Sequence, residues 1–67
     1  MNVTVNGEPR DLPDGTTATQ LLALLKVVPE RVVVEVNLRI LERAELPDTL
    51  LQEGDQVELV QFVGGGQ

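Results

Sequence analysis

Residues 16–37, TTATQLLALLKVVPERVVVEVN, change hydrophobic period partway along. In residues 16–26, Ala18, Leu21, Leu22 and Leu25 follow 3/4/7 spacing and share one face of a helix, with Thr19, Gln20 and Ala23 opposite. Thr17 and Gln20 form a capping-box pattern, hydroxyl to the N3 amide and side-chain amide back to the cap. Lys26 falls in the last turn, where a cation suits the helix dipole, and Pro29 stops anything further. Residues 31–37, RVVVEVN, are rich in β-branched side chains. They read as a buried strand with Val34 and Val36 inward and Glu35 outward. The stretch therefore predicts one helix feeding one strong strand.

The flanks add strands on both sides. Residues 1–6, MNVTVN, alternate, with Met1, Val3 and Val5 pointing one way. Asn6-Gly7 is a hairpin signal, and a short second strand is expected near Pro9–Leu12, closed by the DLPDG turn. After the central strand, Asn37-Leu38-Arg39 must turn. Leucine resists positive φ, so a turn type without it is expected. Ile40-Leu41 can pair briefly. Residues 42–51 show no clean period, and Pro47-Asp48 suggests a turn with one short helical turn. QEGDQ is a tight turn. VELVQFV is the last strand, with Val57 and Leu59 on one face and Val60 and Phe62 on the other. The order is ββαββ or close to it, one helix on one face of a sheet. Val3, Val5, Leu21, Leu22, Leu25, Val34, Val36, Val57 and Leu59 are expected to be buried together. Residues 1–63 make one domain, and residues 64–67 a flexible glycine tail.

Composition narrows the function. The 67 residues make one domain. There is no cysteine and no histidine, which excludes thiol nucleophiles, redox chemistry, thiolate zinc sites and imidazole bases. Eleven acidic residues against five basic ones give a net charge of −6. That disfavours nucleic acid, whose phosphates need Lys and Arg, and Phe62 is the only aromatic available for base stacking. An acidic surface suits a basic patch on a protein partner, or simply solubility. MNVTVNG is no signal peptide and no apolar run reaches the ~20 residues that span a bilayer. Cytoplasmic residence and no membrane partner are expected.

The chain closes GGGQ. These glycines are no phosphate loop, because no helix follows them. Asp11 and Asp14 lack the alternating oxygen ligands of a calcium loop and read as turn chemistry. Glu42 and Glu45 have no cleft to serve. The tail itself has two readings, an ordinary chain end or a strip without Cβ atoms that enters a narrow channel. Extended, Gly64–Gly66 spans roughly 10 Å. Val60 and Phe62, apolar and opposite the core beside the tail, are candidates for a partner surface.

A chain of this length that opens MNVTVNG, continues DGTTATQLLALL, VVVEVN and EGDQVELV, and closes FVGGG resembles the ThiS family over Met1 to Gly66. These are sulfur carriers of thiamin biosynthesis. The resemblance implies an α+β fold of the ubiquitin-like β-grasp type, a mixed sheet of four to five strands with one main helix on one face. It implies a cosubstrate, not an enzyme, with no catalytic residue, metal or cofactor of its own. An E1-like adenylating enzyme of the ThiF type would use ATP and magnesium on the carboxyl of Gly66, with Gly64 and Gly65 giving clearance. Sulfur from a donor such as a cysteine desulfurase would make a thiocarboxylate, and a thiazole synthase of the ThiG type would consume it. Gln67 departs from the family's ending: a peptidase that removes it is one resolution, an added residue foreign to the natural chain is a second, and a carrier that is not activated at all is a third. A sister carrier for molybdopterin, cysteine or secondary-metabolite synthesis, and a ubiquitin-like modifier or interaction module, are the alternatives.

Overall fold

The computed structural model describes residues 1–62. Strands β1 (Asn2–Val5) and β2 (Glu8–Asp11) form a hairpin, followed by helix α1 (Ala18–Leu24). A 3-10 turn (Pro29–Arg31), strands β3 (Val32–Val36) and β4 (Arg39–Leu41), a 3-10 segment (Arg43–Asp48) and strand β5 (Gln56–Gln61) complete the chain. The sheet order is β2-β1-β5-β3-β4. β1 and β5 are parallel and every other pair is antiparallel. The last strand thus lies in the middle. The mixed five-stranded sheet with one main helix is the β-grasp architecture the sequence implied, with three strands after the helix where the sequence order had counted two.

Helix α1 begins where its capping box stands. The Gln20 amide donates to Thr17 Oγ1 at 3.1 Å, and the Thr17 amide donates to Gln20 Oε1 at 2.9 Å. Its Ala18, Leu21 and Leu22 are buried against Val3, Val5, Val34 and Val57. Leu21, Leu22 and Val57 are each 1% exposed, and burying side chains of this size contributes about 1.5–3 kcal/mol apiece.

The helix ends earlier than expected. Lys26 is not in its last turn but follows the cap with φ +58. The Lys26 amide donates to Ala23 O and the Val27 amide to Leu22 O, at 3.1 and 2.9 Å. That is the 5→2 and 6→1 pairing of a Schellman motif, with Lys26 where glycine is usual. Val27 then packs on the core. Pro29 does not merely stop structure; its fixed φ starts a 3-10 turn.

Six of the nine expected core residues are buried, while Leu25, Val36 and Leu59 are half-buried at its margin. Leu12, Ala18, Leu41, Leu46 and Leu51 complete the core. The aperiodic segment 42–51 supplies two of these. It is tied to the helix entrance by Ala18 N–H to Thr49 O and Leu51 N–H to Thr16 O, both 2.9 Å. The β3–β4 turn also differs from expectation. Asn37 and Leu38 take φ +51 and +72, the two positive values of a type I′ turn, whose twist matches the flanking strands. Strand geometry overrides the preference of leucine here. No helix among the described residues is long and apolar enough to cross a membrane.

Candidate functional site

Alternation along β5 divides its side chains between the two faces of the sheet. Val57 and Leu59 turn toward α1, whereas Val60 and Phe62 stand on the open face, 61% and 57% exposed. The structure therefore places both expected docking residues where the sequence put them, exposed and two positions apart. Register brings further residues to that face. Val33 lies opposite Val60, Glu35 opposite Glu58, and Ile40 opposite Glu35. Ile40 is 64% exposed. Val33 and Ile40 were not expected here: alternation gives the face of each, but that they stand beside Val60 and Glu35 depends on register, which the sequence does not print. Gly64, Gly65, Gly66 and Gln67 lie outside the described residues.

Two asparagines hold the central strand in place. β1 ends at Val5, so the β1 side of β5 would lose its ladder beyond Val57. Asn6 extends it. Its backbone N–H donates to Val57 O at 2.9 Å. Its side chain accepts from the Leu59 amide at 2.7 Å and donates Nδ2–H to Leu59 O at 3.2 Å. A carboxamide thus stands in for the peptide group that a longer β1 would supply, which satisfies two polar groups of the backbone. Asn37 does the same at the strand's start, accepting from the Gln56 amide at 2.9 Å and donating Nδ2–H to Asp55 Oδ1 at 2.9 Å. Both residues have positive φ, a conformation asparagine tolerates. On the β3 side the Phe62 amide donates to Arg31 O at 2.8 Å. The segment that leads to Gly64 is therefore fixed to the middle of the sheet up to Phe62.

The chemistry near this face is sparse. Among the described residues no group of three or more His, Cys, Asp or Glu side chains could hold a metal ion. A groove of about 500 Å³ lies between the Pro13–Thr16 turn and Gln20, Ala23 and Leu24, on the outer side of α1. Asp14 is its one carboxylate, and it lies 3.6 Å from the Met1 ammonium. One carboxyl is held below its ordinary range: Glu45, first by the Glu42 amide it accepts from at 2.8 Å, then by the Arg39 guanidinium at 3.3 Å. That arrangement caps the 3-10 segment and is remote from the Val60 and Phe62 positions in register. The described surface presents apolar side chains and acids for docking; it does not assemble a nucleophile with a base.

Comparison with known proteins gives a consistent answer. The model of the ThiS family matches residues 3–66. The sulfur carrier protein ThiS of Thermus thermophilus is 39% identical over 64 residues, covering 96% of this chain and 98% of that one. The crystal structure of a thiamine biosynthesis protein (ThiS) from Geobacter metallireducens superposes with a TM-score of 0.83 at 43% identity, covering 98% of this chain and all of that one. A thiazole synthase of Magnetococcus marinus is 45% identical over 67 residues, all of this chain. The chain spans about a fifth of the length of the thiazole synthases it matches, 21% and 20%.

Proposed function

The chain belongs to the ThiS family, the sulfur carriers of thiamine biosynthesis, and from that premise we propose how it carries the sulfur. The family match ends at Gly66, with Gln67 beyond it. The Gly66 carboxyl is free once a peptidase hydrolyses the Gly66–Gln67 bond. An E1-like adenylating enzyme docks on the Val60 and Phe62 face and receives the glycine strip. The carboxylate oxygen attacks the α-phosphorus of ATP, with magnesium on the phosphates, and pyrophosphate leaves. Persulfide sulfur carried by a donor such as a cysteine desulfurase then attacks the acyl carbon and AMP leaves, and a second thiol cleaves the resulting acyl disulfide, becoming oxidised to a disulfide with the donor's sulfur. The product is a thiocarboxylate at Gly66.

Adenylation is needed because a carboxylate oxygen is a poor leaving group and AMP a good one. Gly64 and Gly65 present no Cβ to a channel wall, so their backbone can lie against it. The chain acts as cosubstrate, and the bases and metal belong to its partners. A thiazole synthase consumes the sulfur. The thiazole synthases that contain a stretch similar to this whole chain support that pairing, since they hold both parts in one polypeptide. The observation that carries the reading is the full-length family match ending on three glycines, with the strand before them anchored at Phe62.

The test compares the 67-residue chain with one ending at Gly66. Each is incubated with the adenylating enzyme, ATP, magnesium and a sulfur donor, and weighed intact by mass spectrometry. The chain ending at Gly66 is expected to gain the difference between one sulfur and one oxygen, and the longer chain to stay unchanged. Misplacing a reacting carboxyl by one residue, about 3.5 Å, can lower a rate by 10²-fold or more. Equal conversion of both would rule out trimming; conversion of neither would favour an interaction module. Phe62→Ala should lower affinity for the adenylating enzyme roughly tenfold, with the fold retained.

A further inference from the structure

On the open face the register sets Glu35 of β3 directly opposite Glu58 of β5. Side chains so placed stand roughly 5 Å apart, and like charges there destabilise a sheet. Among the described residues neither is ion-paired. The ion pairs join the Met1 ammonium to Asp11 and Asp14, and Arg39 to Glu45. Within the strands no lysine or arginine falls on their face; Arg31, just before β3, continues the register opposite Phe62, two pairs away from the acids, and is ion-paired with neither. Arg10 and Arg39 fall at inward register positions, opposite Val3 and Val36. The two acids are bordered by apolar side chains on both sides: Ile40 across from Glu35, and Val60 and Phe62 along β5. Those three are 64%, 61% and 57% exposed.

A repulsive pair with no cation paired to it, set between exposed apolar side chains, weakens the isolated fold. It complements a surface that carries one cation between apolar groups. We propose that Glu35 and Glu58 together receive an arginine of the docking partner, with partner apolar side chains against Ile40 on one side and Val60 and Phe62 on the other. This rests on the reading that the face docks the adenylating enzyme, and it names the charge by which the partner is selected. Arginine suits the pair better than lysine, because its planar fork of five donors can satisfy two carboxylates at once. The apolar border excludes water from the contact and strengthens it. Burial of the cation also relieves the repulsion, so the surface is more favourable bound than free.

The experiment uses Glu35→Gln, Glu58→Gln and, as a control, Glu30→Gln, an exposed acid in the 3-10 turn before β3 and outside this face. Thermal midpoints are measured on the free proteins, and Kd for the ThiF-type adenylating enzyme by calorimetric titration. Each face variant is expected to melt higher than wild type and to bind about tenfold or more weakly. Glu30→Gln should change Kd by less than about twofold, as for a distant screened charge. Wild-type affinity in both face variants, with Phe62→Ala still weakened, overturns this inference and leaves the docking reading standing. An equal loss in Glu30→Gln also overturns it, because the effect would then be overall charge. Absence of binding by the wild-type chain overturns the docking reading, and this inference falls with it.

Discussion

Leu38→Gly is expected to stabilise the protein, although it deletes a large apolar side chain. Leu38 occupies the second central position of the β3–β4 turn at φ +72, and it is 90% exposed. A left-handed backbone raises the energy of a residue with a Cβ by about 1–2 kcal/mol. Glycine takes that conformation freely, and Asn-Gly is the preferred sequence for a type I′ turn. Against this, glycine loses more chain entropy on folding, roughly 0.5–1 kcal/mol. The side chain forfeits almost no burial, so packing adds nothing on either side. The balance is a gain of about 0.5–1 kcal/mol. In a domain of this size each kcal/mol moves the midpoint by about 4–8 °C, which gives a rise of roughly 2–8 °C. Differential scanning calorimetry at fixed pH reads it directly. An unchanged or lower midpoint would refute the reasoning: either Leu38 does not hold a positive φ, or its side chain makes contacts that its exposure denies.

Two other substitutions probe different parts of the molecule. Asn6→Ala should destabilise by about 1–3 kcal/mol, since the Leu59 N–H and C=O lose their partners while φ stays positive; amide exchange at Leu59 should quicken more than at Val34. The depressed Glu45 carboxyl predicts a pH effect. A folded pKa below the ordinary 4.5 adds stability that is present above that value and lost as pH falls through the folded one. Glu45→Gln should therefore be less stable than wild type at neutral pH, with the gap narrowing in acid; a gap independent of pH would contradict the assignment.

How much was legible depended on how local the signal was. The Thr17–Gln20 cap and the spacing of Ala18, Leu21 and Leu22 are written within a few residues, and the helix start is as read. Alternation in β5 separates Val57 from Val60 without knowledge of any partner. Leu46 was missed because a 3-10 segment of six residues leaves too few turns to show a period, and Leu51 because it lies beyond that segment, outside any helix or strand. The roles of Asn6 and Asn37 span 53 and 19 residues, and no pattern along the chain announces them. Leu38 went wrong for a physical reason: intrinsic preference was weighed and strand twist was not. The site was half legible. Val60 and Phe62 follow from period 2, whereas Glu35 facing Glu58 exists only once β3 and β5 are in register.

The position of β5 has a consequence for how the molecule is made. Two hairpins, β1–β2 and β3–β4, can form from neighbouring residues, but within the sheet only β5, the strand furthest along the described chain, joins them. β5 pairs in parallel with a strand more than fifty residues earlier, a non-local closure of the kind that slows folding. A nascent chain short of Gln56 therefore has two half-sheets with exposed edges and an unfilled core at Val57. The sheet closes only when β5 is available, so the open face that carries Glu35, Glu58 and Val60 is the last part of the molecule to assemble.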